Sequence, residues 1–135
     1  MKLKILTFLT FTTMLLSSCG TIAGDPLDGT AWELYTYGST HPIEGSITTI
    51  SFENGQLSGR GGCNQYGGEY QISGSTIRLD KLYMTEMACL SPEGIMQQEQ
   101  DFLQYLGDAQ RFEMTEGQLQ IYGTDGETLT FVPMP

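Results

Sequence analysis

A mainly β fold (a β-rich α+β class) is predicted: a curled antiparallel sheet or partly closed barrel of about seven or eight strands, with one helix packed against it. Three observations carry this. From Thr30 onward, apolar residues recur with period two in short runs, the pattern of strands that bury one face. Gly, Asn and Asp separate those runs, and 17 glycines make the chain turn-rich. A single segment, Ser91 to Gly107, switches to helical spacing. With 135 residues, 39% apolar and 16% charged, the composition suits one folded domain and not a disordered or multidomain chain.

Taken in order, Trp32 and Leu34 point to one face of the first strand while Glu33 and Tyr35 point to the other. Ile50 and Phe52 repeat this before Asn54-Gly55, a dipeptide that takes positive φ at a two-residue hairpin turn. Tyr70 with Ile72 and Ile77 with Leu79 flank Gly74-Ser75, a second hairpin. Phe112 with Met114, Leu119 with Ile121 and Leu129 with Phe131 alternate across Glu116-Gly117 and Asp125-Gly126, which predicts a three-strand meander. The helical segment offers Ser91 as N-cap, Pro92 at the first helical position and Glu93 in the first turn, with Gly107 after the last apolar residue. Ile95, Phe102 and Leu106 share one face, Met96 and Leu103 lie beside it, and Gln97, Gln98, Gln100, Asp101 and Gln104 are expected to face mainly outward.

The first segment is an address. Lys2 and Lys4 precede an apolar run from Ile5 to Leu16, and small residues then lead to a cysteine, the order of a secretory signal with its cleavage site. The run is 12 residues long, short of the roughly 20 a spanning helix needs. Leu16-Ser17-Ser18-Cys19 resembles the lipobox of bacterial lipoproteins. The resemblance implies cleavage after residue 18, a diacylglycerol thioether on Cys19 and acylation of the new N-terminus. Two or more acyl chains give stable membrane anchoring where one does not. The expected organisation is a signal peptide over 1–18, a lipidated N-terminus and tether over 19–26, and the folded domain over 27–133. The stretch from Gly20 to Asp25 reads as a flexible tether that keeps the domain within about 20 Å of the bilayer. Gly20 is not the Asp that retains enterobacterial lipoproteins at the inner membrane, so the periplasmic face of the outer membrane is expected.

Six Lys and Arg oppose 16 Asp and Glu, a net charge of -10. Cleavage removes Lys2 and Lys4 and leaves four cations, a charge of -12 on the exported part. A phosphate backbone is bound through clustered cations, so nucleic acid is excluded as a partner. The same charge repels anionic lipid and steers cationic partners inward, at rates that fall with salt.

Three motifs in order carry a family resemblance: Leu27-Asp28-Gly29-Thr30-Ala31-Trp32-Glu33-Leu34, then Gly62-Cys63-Asn64 with Gly67, Gly68 and Tyr70, then Thr85-Glu86-Met87-Ala88-Cys89. With Glu99, Phe102 and Leu103 in the helix and the closing strands, the chain resembles the META domain, or HslJ-like, family over residues 27 to 132. The resemblance implies a small β-rich domain with one helix, often a bacterial lipoprotein. That family includes a heat-shock-associated member and is similar in fold to a secretion pilot protein that binds lipid or a peptide tail. It brings no general enzymatic activity.

With Cys19 lipidated, Cys63 and Cys89 remain as a pair in an oxidising compartment, where a disulfide is expected and two buried thiols are the alternative. Bridging them would constrain the unfolded chain by about 3.5 kcal/mol. Met84, Met87 and Cys89 form a soft-donor cluster of a kind that holds Cu(I), but the place of Met87 and Cys89 in the family motif favours core packing and the disulfide. His41 is the only histidine and reads as a solvated loop residue; a zinc site would have to draw its other ligands from Cys or carboxylates, and a Ser-His or Cys-His pair would need His41 in this polar loop. Ser58 to Asn64 is glycine-dense but does not end in the Lys-Ser/Thr of a phosphate loop. Its glycines are expected to kink the chain at a sheet corner, with Asn64 bonded to local backbone. Glu113 and Glu116 read as surface charge. No catalytic residue, metal or cofactor is expected. Tyr35, Tyr37, Tyr66, Tyr83 and Tyr122 are candidate binding residues, since tyrosine combines contact area with a polar handle. The expected role is a non-catalytic, membrane-anchored binding or stress-related envelope-maintenance module. Its candidate partners are the membrane through the lipid anchor, a cationic protein or peptide such as a basic cell-wall hydrolase, and a lipid or apolar peptide carried in the barrel.

Overall fold

Eight strands follow one another around a closed barrel in a computed structural model that describes residues 24–134. They are β1 (Thr30–Tyr37), β2 (Thr49–Glu53), β3 (Gln56–Arg60), β4 (Gln65–Ser73), β5 (Thr76–Met84), β6 (Ala109–Thr115), β7 (Gln118–Gly123) and β8 (Thr128–Pro133). The helix α1 (Ile95–Gly107) falls between β5 and β6. Each strand pairs antiparallel with the next, and β1 pairs with β8 to close the ring. The expected signal segment, Cys19 and Gly20 to Ala23 lie outside the described residues. Among the described residues, no helix is long and apolar enough to cross a membrane.

The tight turns fall where the dipeptides place them. Asn54 and Gly55 have φ 51° and 75°, the double positive φ that matches a two-residue turn to the twist of β2 and β3. The inward phase fills the barrel: Trp32, Leu34, Ile50, Phe52, Leu57, Ile77, Phe112, Leu119, Ile121, Leu129 and Phe131 are all buried. Phe102 of α1 closes this core from one end, edge-on to Tyr66 and Phe131. Leu27, fully buried, belongs to the same core. Asp25 is not part of a free tether: one carboxylate oxygen accepts from Leu27 N at 2.8 Å and the other from the Tyr70 hydroxyl at 2.6 Å.

Three local expectations are corrected. The β1–β8 register slips by one residue between Leu34 and Thr36, so the phase inverts after Tyr35. Tyr37 comes to face Leu129 and packs against the core instead of sharing the outer face with Tyr35. The helix starts at Ile95 and not in the Ser91-Pro92 turn, because Gly94 sits at φ 85°, which no helical residue adopts, and no side chain caps it. Met114 does not follow Phe112 into the core. It stands exposed beside the Glu116-Gly117 turn, at the barrel rim.

Because consecutive strands alternate direction, their connections alternate ends. The two-residue turns at Asn54-Gly55, Gly74-Ser75 and Glu116-Gly117 share the end at which Asp25 enters. The connections 38–48, 61–64, 85–108 and 124–127 share the other, helical end.

Candidate functional site at the helical end of the barrel

At the helical end, one buried side chain ties two connections together, 61–64 and 85–108. Glu99 of α1 is 1% exposed. Its Oε2 accepts from Cys63 N at 2.9 Å and Asn64 N at 2.5 Å, and its Oε1 accepts from Asn64 Nδ2 at 2.7 Å. Gly62, at φ 126°, turns the chain so that two successive N–H groups meet one oxygen. Gly61 must lack a side chain, since a Cβ there would lie 2.8 Å from Glu99 Cγ.

Asn64 passes the linkage on: Nδ2 also donates to Met87 O at 3.1 Å, and Oδ1 accepts from Met87 N at 2.7 Å and the Thr85 hydroxyl at 2.8 Å. The expected local bonding of Asn64 is thereby corrected, since its side-chain partners lie more than 20 residues away. The disulfide Cys63–Cys89 fastens the same two segments covalently. With its sulfur bridged, Cys89 offers no thiolate to a metal beside Met84 and Met87.

Next to Glu99, Gln98 is buried and not outward as expected. Its Oε1 accepts from Ile43 N at 2.6 Å and its Nε2 donates to the Ser46 hydroxyl at 3.0 Å, which holds the β1–β2 loop. Every buried side-chain nitrogen and oxygen among the described residues is hydrogen-bonded. These polar groups position loops.

Beside this hub, the wall formed by β2 to β5 carries an open cleft of about 510 Å³, lined by Thr49, Arg60, Tyr66, Tyr83, Thr85 and Met87 among others. Tyr66 is its floor. Its ring is buried and its hydroxyl donates to Thr49 O at 2.7 Å, passing over Gly59, where a Cβ would lie 2.8 Å from that hydroxyl. Burial holds the Tyr66 phenol neutral far above the usual tyrosine range. Tyr83, 70% exposed, lies across Gly67, where a Cβ would approach its hydroxyl to 2.5 Å. A smaller hollow of about 130 Å³ continues the cleft between Tyr66, Leu82, Met84 and Leu103. A third, of about 400 Å³, runs from Met84 and Leu103 to Met96 and Gln100 on α1.

Of the five tyrosines singled out from sequence, Tyr66 and Tyr83 share this cleft. Tyr35 stands exposed on β1, edge-on to His41, whose Nδ1 lies 3.0 Å from Tyr35 O. Tyr37 turns inward toward Tyr105, and burial together with the Asp101 charge raises its pKa. Tyr122 lies on β7 beneath the Arg111 guanidinium and donates to Glu113 at 3.1 Å. Arg111 also pairs with Glu113 and holds that carboxyl below its usual range. Glu113 is thus engaged on the strands, and Glu116 stands apart in the β6–β7 turn.

The apolar part of the trough, with Leu82, Met84 and Leu103 in it, escaped the sequence reading because it depends on where β5 leaves the barrel. Gln98 and Glu99 did leave a signal. They sit three and four residues after Ile95 and four and three before Phe102, so helical spacing places both polar residues on the buried stripe.

An eight-stranded up-and-down barrel with a helix across one end, its buried polar side chains used to brace connections, defines a class of small β-barrel domain. Residues 25–135 match the sequence model of the META domain, and the chain belongs to that family. A solution structure of a protein from Burkholderia xenovorans is 28% identical with a TM-score of 0.70, covering 80% of this chain and 83% of that one. A second solution structure is 23% identical with a TM-score of 0.65, over 79% and 91% of the two chains. The crystal structure of a DUF4847 family protein from Bacteroides vulgatus is 12% identical with a TM-score of 0.58, over 79% and 94%. The last two show the fold alone. No curated protein matches the chain. None of these descriptions names a catalytic activity.

Proposed function

We propose that this META domain is an envelope lipoprotein, anchored through Cys19, that acts without catalysis by binding a cationic protein or peptide at its helical end. The observation that carries the reading is the distribution of charge around the barrel. The four connections at the helical end contain eight carboxyl groups, Glu44, Glu86, Glu93, Asp101 and Asp125 among them, and neither Lys nor Arg, with Arg60 at the end of β3 the one cation bordering them. Asp25 enters at the opposite end, so an anchor a few residues upstream faces the tight turns toward the bilayer. The acidic, cleft-bearing end then points into the aqueous space. The filled interior favours a surface contact over an apolar ligand carried inside the barrel.

Two measurements test this. Replacing Cys19 by Ala should move the exported protein from the membrane to the soluble fraction and abolish its labelling by palmitate. The lipidated protein should retain a basic cell-wall hydrolase or polylysine at low salt and release it at high salt. Retention that ignores salt, or none at low salt, is incompatible with an electrostatic contact.

A further inference from the structure

We infer that the free edge of β5, from Leu79 to Met84, accepts an extended basic segment of a partner protein as an added strand. This rests on the reading of the barrel as a binder of cationic partners and specifies how the partner is held. β5 pairs with β4 from Thr76 to Met84, but it meets β6 only at Thr76↔Arg111, with Phe112 N donating to Ser75 O. Beyond that pair, the backbone groups on the β6 side of β5 face no strand among the described residues. An edge of this kind is a template for another chain.

Two features shape it for an incoming strand. Lys81, at φ 53°, forms a bulge against β4 where the register slips between Gly67 and Glu69. The bulge presents Leu82, Tyr83 and Met84 to solvent in succession, although all three are large and apolar-bodied. Across the gap, α1 supplies Leu103 and Met96 as the opposite bank. The two hollows along this gap share Met84 and Leu103; the smaller is lined by apolar-bodied side chains, and the larger adds Met96 with Gln97, Glu99 and Gln100 of α1. Alternate side chains of an added strand would enter them, while its main chain pairs with β5.

Charge selects the occupant. The cations on β5 are already engaged, Arg78 with Asp80 and Lys81 with Glu69. The connection that leaves β5 and becomes α1 carries Glu86, Glu93 and Asp101 and no cation. A segment alternating basic with apolar residues fits both the hollows and this field. A second copy of the same acidic end would be repelled.

The test uses the full lipidated chain in detergent micelles and an acetylated, amidated peptide that alternates lysine with valine over the length of β5. Binding is expected, with slowed amide exchange at Met84 and little change at Tyr83, because successive N–H groups point to opposite edges and Thr85 N already donates to Gln65 O of β4. The same peptide N-methylated at every second amide, and a peptide of equal composition in two blocks, should each bind about tenfold more weakly or worse. Met84→Lys, which fills the shared hollow with a charge, should weaken the alternating peptide to a similar degree while the melting temperature holds.

Equal binding of the parent and N-methylated peptides would overturn strand addition and leave the electrostatic reading intact. Failure of every basic peptide to bind at low salt would overturn both. Self-association of the chain through this edge, with peptide excluded, would also overturn the inference.

Discussion

Glu99 shows how much a single position can carry. Its carboxyl group takes three N–H donors from Cys63 and Asn64 in a site closed to water. Glu99→Gln keeps the shape but replaces one acceptor oxygen with a donor that must face another donor. We expect a loss of about 2–4 kcal/mol in the free energy of unfolding, measured by urea denaturation, since a buried donor left unpaired forfeits its solvation as well as its bond. Glu99→Ala should not be milder, because it orphans all three donors. A loss under about 0.5 kcal/mol would mean that water satisfies the Cys63 and Asn64 amides and that the hub is not dry. Gly59 makes the steric counterpart. An added Cβ would lie 2.0 Å from Thr49 O and 2.8 Å from the Tyr66 hydroxyl. Gly59→Ala should therefore cost about 2–4 kcal/mol by forcing β2 and β3 apart, and pairing it with Tyr66→Phe should recover only part of that, because the Thr49 carbonyl remains in the way.

At the scale of elements, what was legible in the sequence was local. Asn54-Gly55 and Gly74-Ser75 announce their hairpins because the turn geometry is set by those dipeptides alone, and the period-two alternation holds in β7, whereas in β8 Thr130 is buried between Leu129 and Phe131. The failures share a physical cause, namely that the deciding partner is distant in sequence. The inversion at Tyr35 is set by pairing with β8, almost 100 residues on. Asn64 looked like a turn residue, yet Glu99 and Met87 claim it. The start of α1 lies later than the sequence suggests because Ser91, Pro92 and Glu93 match a first turn, whereas Gly94 at φ 85° breaks it and leaves the helix without a side-chain cap. Of the candidate site, the tyrosines of the cleft were legible as residue types, but their grouping was not, since Tyr66 and Tyr83 meet only through the β4–β5 register. A testable consequence follows for α1. Gln98→Leu should preserve the helix but free the β1–β2 loop, because Ile43 N and Ser46 lose their partner. Amide exchange at Ile43 should accelerate by about tenfold or more, with little change at β7.

For the whole molecule, the covalent bridge and the buried phenol act on stability under different conditions. The disulfide joins the two segments that Glu99 and Asn64 already hold, so the double replacement Cys63→Ala, Cys89→Ala should lower stability by about 2–4 kcal/mol through the freed unfolded chain and still leave a folded barrel. Reduction should reproduce that loss, and two thiols should be titratable only after reductant is added. Burial raises the phenols of Tyr70 and Tyr66 alike, so both bear on the alkaline limit, and the larger shift is at Tyr66. Its folded pKa lies above the value near 10 of an unfolded chain, so the unfolded state releases its proton first as pH rises. The stability tied to the neutral phenol is therefore fully present below about pH 10 and lost above it, at about 1.4 kcal/mol per pH unit while the folded phenol stays protonated. Tyr66→Phe should cost about 1 kcal/mol at neutral pH through the bond to Thr49 O, yet lessen the decline between about pH 10 and pH 11.5 in urea midpoints, with the part owed to Tyr70 remaining. If the variant and the parent decline in parallel, Tyr66 is not the group that limits the barrel in alkali, and the opening of its cleft floor to solvent must come first.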